Sequence, residues 1–287
     1  MNTITTTSGR EKFLKSTLEV ALRAGLVAEA VCQVDRTDAR VIKAPYQTAP
    51  TTVVQALTGT YTVSALTITQ DDLTVTDEFI SAEHVYDFEQ ILNNFDLYSA
   101  RIEDLTYSVM ASIDKYVVNT LCEDGTGTYT TPVGGFTTAA NISVIMSNLL
   151  SKVVGYSEQY KGTYLIIEAT DVPGFVQAQA TNGFNFADSA LKNGFVGNYM
   201  GVDIYVIPAG TFVSASIGTR TSGTAFTNAG HRVFGVKGLA TYAAPRGIQV
   251  EEKTVTLKTG KELVVYGYIG AKVWTPKAGL TVDITLA

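Results

Sequence analysis

The sequence is poor in the residues that most often announce chemistry, with two cysteines and two histidines in 287 residues. Cys32 and Cys122 stand alone, so neither a disulfide framework nor a cysteine-based metal site is indicated, and a reducing compartment fits this usage. His84 and His231 begin no motif. His-Glu-x-x-His, His-x-x-x-His and Cys-x-x-Cys are all missing, so a zinc site has no support in the sequence alone. The nucleophile elbow Gly-x-Ser-x-Gly and the phosphate-binding glycine loop are missing as well. The expectation is a protein with no catalytic, cofactor-binding or metal-binding residues, and therefore not an enzyme.

Charge is also scarce, at 17% against 46% apolar residues, and the abundance of Thr, Val and Tyr favours an ordered, strand-rich chain over a disordered one. No apolar run approaches the ~18 residues that cross a bilayer, and residues 1–13 are polar, without the apolar core of a signal peptide. The expected setting is cytoplasm, with no membrane partner. The chain lacks a basic face and carries a net charge of -6. Specific DNA reading is excluded on that ground, whereas mild negative charge suits a protein that encloses nucleic acid without gripping it.

What charge there is falls unevenly. From Ala44 to Asp114 there are eleven acids against one base, Arg101, and from His231 to Ala287 eight bases against four acids. Overlapping copies of the chain would be steered together by such a split, and two separately solvated faces would also produce it. The candidate subunit-contact residues are Asp71, Asp72, Asp77 and Glu78 on the acidic side, and Arg246, Lys253 and Lys258 on the basic side. The four acids match no calcium loop and read better as a solvated hairpin tip.

Ser8-Gly9-Arg10-Glu11 fits a capping box opening a helix over 9–24, with Leu14, Leu18, Ala21 and Leu22 on one stripe. Strands are expected at Val53-Val54, Tyr61 to Thr69 and Leu73 to Ile80. Gln70-Asp71-Asp72 would be the turn of a hairpin, and a bulge would switch its inward face. A lone hairpin is marginal in water, so this one should lie against something else.

Residues 87–122 form the longest periodic stretch. Phe88, Ile91, Phe95, Tyr98, Ile102, Leu105, Val109, Ile113 and Val117 recur at steps of three or four, without Gly or Pro, giving a helix roughly 54 Å long. The steps drift from a strict heptad, which favours core packing over a coiled coil. Further helices are expected along Ile142 to Val153 and from Asp171 to about Ala180, with Pro173 in a first turn. Strands are expected at Tyr164 to Glu168, Val202 to Ile207, Ile248 to Leu257 and Leu263 to Val273. Thr181 to Gly201 and Thr211 to Gly230 read as loops, the latter mobile or ordered by a partner. Helices early and strands late, without βαβ alternation, indicate an α+β fold.

This order of parts resembles the tailed-phage major capsid proteins of the Hong Kong 97 type (HK97-like fold). The closest local matches are Asn193-Gly194-Phe195-Val196-Gly197-Asn198-Tyr199-Met200-Gly201-Val202-Asp203-Ile204-Tyr205-Val206 and Phe234-Gly235-Val236-Lys237-Gly238-Leu239-Ala240. The resemblance implies an N-terminal arm (1–52), an extended loop (53–82), a spine helix with peripheral domain (83–139), an axial domain (140–230) and peripheral strands (231–287). It further implies hexamers and pentamers closing an icosahedral shell around double-stranded DNA, with the extended loop lying over a neighbouring subunit. Separate scaffolding, portal and possible decoration proteins would be its partners. The type member crosslinks through a lysine on that loop, and no Lys lies between Lys43 and Lys115, so non-covalent contacts are expected here. A same-fold encapsulin shell is the alternative, and a β-rich surface adhesin or carbohydrate-binding module is the alternative from another class.

Overall fold

The computed structural model describes residues 27–47, 52, 59, 66–87, 97–156, 161–182, 185–186, 195–217, 225–254 and 259–287. The expected helix at 9–24 and strand at Val53-Val54, the first residues of the Tyr61 strand and Lys258 lie outside them. The described elements begin with α1 (Val27–Val31), β1 (Gln33–Asp35), β2 (Val41–Gln47), β3 (Ile68–Thr74), β4 (Asp77–Val85) and α2 (Leu97–Asp124). The middle of the chain holds β5 (Gly127–Thr130), α3 (Ala139–Ser151), β6 (Thr163–Glu168), α4 (Val172–Asn182), β7 (Asn185–Phe186), β8 (Phe195–Tyr199) and β9 (Val202–Ile207). The last part is mostly strand: β10 (His231–Val236), β11 (Ala240–Ala243), β12 (Ile248–Thr254), β13 (Lys261–Val273) and, after a 3-10 helix (Thr275–Leu280), β14 (Val282–Thr285).

The spine α2 runs 28 residues because nothing breaks it: it holds no Gly or Pro, and its apolar stripe is continuous. Leu105, Val109, Ile113 and Val117 are buried as the periodicity predicts, joined by Tyr116, Val118 and Leu121. The helix ends two residues beyond the expected Cys122, and Gly125 closes it by donating to Leu121 O at 3.2 Å. Asp87 is helical, and residues 88–96 are among those not described. Asp114, 1% exposed on the spine, accepts from the backbone N–H groups of Val27 and Ala28 at 3.1 and 3.0 Å, satisfying two donors of α1.

A seven-stranded sheet in the order β5-β14-β10-β6-β9-β8-β7 lies against this spine. Alternate residues of its central strands enter two different cores. Tyr164, Ile166 and Val233 face the core built around α2, whereas Leu165, Ile167 and Phe234 face a second core with Ile142, Ile145, Met146 and Leu149 of α3 and Phe175 of α4. All six residues of β6 are consequently buried. A five-stranded sheet joins β1, β11, β13 and β12 in that order, with β4 also paired to β13, and its inner face packs on α2. Between the two sheets, Phe234-Gly235-Val236-Lys237-Gly238-Leu239-Ala240 carries the chain across: β10 ends, Gly238 turns with φ 69° while donating to Val31 O at 2.9 Å, and β11 begins.

Several expectations require correction. Gln70-Asp71-Asp72 is no turn, since all three lie inside β3, which pairs with β2 from Val41↔Thr74 to Gln47↔Ile68. β4 instead pairs with β13, over Asp77↔Ile269 to Val85↔Lys261. Local polarity marked a turn where the alternation of β3 runs through exposed positions. The absence of βαβ alternation also fails, because β6 and β9 are parallel neighbours and α4 lies in the connection between them. Gly194-Phe195-Val196-Gly197 is not all loop: β8 starts at Phe195 and turns into β9 through Met200-Gly201, both at positive φ. The Thr211 to Gly230 segment, read as a loop that is mobile or ordered by a partner, is anchored in its described part by buried Phe212 and Phe226. Asn119 on the spine reinforces that anchor by bonding Thr211, Val213 and Asn228. Finally, β10 and β14 complete the sheet of β6 and β9, so the expected cut at residue 230 crosses one continuous sheet.

Candidate assembly surfaces

The arm formed by β2 and β3 is the least self-sufficient part of the described structure. Among the described residues its two strands pair only with each other, every second residue of β2 is exposed, and Ile68 is 62% exposed. Two isolated strands are marginal in water, which places the weight of the arm on its root. There Leu73, Val75 and Ala243 form a small buried cluster, with Ile42 and Trp274 packed against it. Asp71 pairs with the Lys272 ammonium and accepts from Thr275 N at 3.0 Å and Thr275 Oγ1 at 2.8 Å. Lys272 also donates to Asp72 O at 2.8 Å. Burial alone would raise the Asp71 carboxyl, but the Lys272 and Thr275 donors outweigh it and hold the group below its ordinary pKa.

The second surface is the outer face of the β4, β13 and β12 ladder. Register places Ile80 opposite Tyr266 and Glu78 opposite Tyr268. Ile80 is 59% exposed, and the two tyrosines meet edge to face at 5.9 Å. Glu251 accepts from Tyr266 OH at 2.8 Å. Behind this face, Phe79 meets Tyr116 of the spine at 5.5 Å, and Arg101 grips Glu83 through Nε and Nη2 at 2.9 and 2.8 Å. The one base of the acidic stretch is thus engaged within the chain. Between this ladder and the arm root lies a cleft of about 500 Å³, lined by Arg40, Glu78, Arg246 and Tyr268 among others.

The candidate contact residues take different positions. Asp71 is bound to Lys272 of its own chain, and Asp77 is 5% exposed, so neither is available for steering as an exposed acid would be. Asp72 and Glu78 are exposed. Asp72 accepts from Gln70 Nε2 at 2.7 Å, and Glu78 sits beside Tyr268, pushing that phenol up. Arg246 reaches Asp38 at 3.5 Å in an exposed pair, and Lys253 pairs with Glu251 at 2.9 Å, whose hydrogen bond holds the ammonium above its ordinary pKa. Such exposed pairs contribute little stability and leave both side chains accessible. Lys43, placed before the loop by the sequence reading, stands in β2 opposite Asp72, so the arm does carry a lysine. Sequence reasoning missed Lys272 and Thr275, whose role depends on a strand about 200 residues from Asp71. Tyr266 and Tyr268 were legible only as part of an alternating strand.

No family model and no curated protein matches the sequence. Solved structures do match, over nearly the whole chain. The capsid of cyanophage P-SCSP1u superposes with a TM-score of 0.69 at 13% identity, covering 97% of this chain and 93% of that one. The fold is the HK97-like capsid fold. A Mycobacterium phage Che8 chain shares it, with a TM-score of 0.70 at 15% identity over 99% of this chain and 98% of that one. So does the capsid of Ralstonia phage GP4, with a TM-score of 0.64 at 10% identity over 99% and 97%. Agreement at such low identity means that the fold is shared while most of the residues differ. Among the described residues, no helix is long and apolar enough to cross a membrane.

Proposed function

We propose that this chain is a phage major capsid protein, a non-enzymatic subunit that assembles as hexamers and pentamers into an icosahedral shell around double-stranded DNA. The observation that carries this reading is the exposed β2–β3 arm, rooted by Asp71 and Leu73, on a subunit whose fold recurs in phage capsids. An arm with so little core of its own gains most by lying on a neighbour, and the Ile80, Tyr266 and Tyr268 face is a surface of suitable chemistry.

In this reading β2–β3 belong to the extended loop, and α2 with the five-stranded ladder is the peripheral domain. The seven-stranded sheet with α3 and α4 forms the axial domain. Exposed Asp72, Glu78, Arg246 and Lys253 lie at the rim of the contact and set register more than affinity. Assembly takes place in the host cytoplasm with separate scaffolding, portal and decoration proteins, and the DNA is enclosed without sequence reading. Electron microscopy of the purified protein, alone and in lysate of its source, tests the proposal. Uniform closed shells, hexamers or pentamers support it, and a strict monomer under all assembly conditions overturns it.

A further inference from the structure

One side-chain cluster lies away from all of these surfaces. Cys122 belongs to the last turn of α2, His231 opens β10 and Asp283 sits in β14. The pairing of β10 with β14 brings the last two together, and packing of the spine against that sheet edge adds the first. The Cys122 thiol donates to Asp283 Oδ1 at 2.9 Å, and His231 Nδ1 lies 2.8 Å from Oδ1 and 3.0 Å from Oδ2. One sulfur, one imidazole nitrogen and one carboxylate oxygen all lie within 4.8 Å of one another. The thiol is buried, whereas the His231 and Asp283 side chains each keep 21% of their surface exposed, leaving a route for an ion from solvent. Arg232 Nη1 donates to the His231 carbonyl at 2.6 Å and fixes the backbone that carries the imidazole.

We propose that Cys122, His231 and Asp283 form a binding site for a borderline-soft divalent cation of the zinc class, with water as the fourth ligand. A sulfur, a nitrogen and a carboxylate oxygen converging from three segments is a donor set suited to tetrahedral zinc, and poorly suited to calcium or magnesium, which take oxygen ligands. Without metal, the Cys122 thiol and His231 Nδ1 both lie within hydrogen-bond distance of Asp283. Binding replaces the thiol proton, which leaves to solvent, and the neutral imidazole coordinates through Nδ1 with its one proton on Nε2. No electron is transferred. A thiol must lose its proton to bind the ion, so affinity rises with pH. Bound there, the ion would tie the end of the spine to both β10 and β14.

The test uses the full chain and two ions. Cobalt(II) titrated into the purified protein should produce thiolate-to-cobalt absorption saturating at one equivalent, and zinc should displace it. Cys122→Ser should abolish this absorption while Cys32→Ser retains it, and His231→Gln and Asp283→Asn should each weaken binding by about tenfold or more. Zinc at about 100 times its dissociation constant should lower the unfolding constant of the wild-type chain about 100-fold. Lack of thiolate absorption in the wild-type chain, its persistence in Cys122→Ser, or equal stabilisation by calcium or magnesium would overturn the site. The wild-type titration decides the matter even where a variant folds poorly, and it does not depend on the assembly proposal.

Discussion

β6 and the β2–β3 arm are both made of extended backbone, yet they occupy opposite extremes of the molecule. Every residue of β6 is buried because a helical layer covers each face of its sheet. Among the described residues, the arm has no layer on either side beyond the small cluster at its root. In the first case stability is complete within one chain. In the second, strands are paired but bury little among the described residues. The difference separates residues that decide whether the subunit folds from residues that, in the proposed function, decide whether it assembles.

The largest expected effect comes from opening the double-sided sheet. Phe234→Ala removes a fully buried ring from the second core and should destabilise the subunit by about 3–5 kcal/mol, read by chemical denaturation. Retention of wild-type stability would mean that the second core is not packed as described. Slightly smaller is Arg232→Met, which strips the guanidinium from buried Asp171 and from Glu168 beside it and should cost about 3 kcal/mol, with a shifted denaturation midpoint.

At the boundary of the two regions, Asp71→Asn should cost about 1–2 kcal/mol at neutral pH through loss of a charge-assisted network. Because the folded Asp71 pKa is depressed, its contribution is present above the unfolded value of about 3.9 and is lost as pH falls through the folded one. The wild type should therefore loosen at the arm root on acidification while the variant shows less change, as hydrogen exchange at β3 would report. Smallest for the isolated subunit is Ile68→Ser, expected within about 0.5 kcal/mol of wild type, since this side chain is mostly exposed. Its yield of assembled particles should nevertheless fall. Undiminished assembly would remove the arm tip from the contact.

Wherever a signal is local, the sequence was readable. The spine stripe through Leu105, Val109, Ile113 and Val117, the α3 stripe through Ile142 and Leu149, and the start of α4 near Pro173 depend only on residues a few positions apart. The β3 error had a local cause too: three consecutive polar residues look alike in a turn and in a strand exposed on both sides. The candidate contacts were less legible. Asp71 and Asp77 share the acidic character of Asp72, but an ion pair with Lys272 takes one and burial takes the other.

The sequence by itself determined the long helix and the buried strands, because periodicity and the absence of helix breakers act over one or two turns. Only the tertiary structure decided which strands became neighbours: β2 with β3, β4 with β13, and β10 with both β6 and β14. It alone also brought Cys122, His231 and Asp283 within reach of one another. The physical reason is distance along the chain. Pairings across tens to hundreds of residues are selected by the packing of whole layers, and no spacing within a single segment records them.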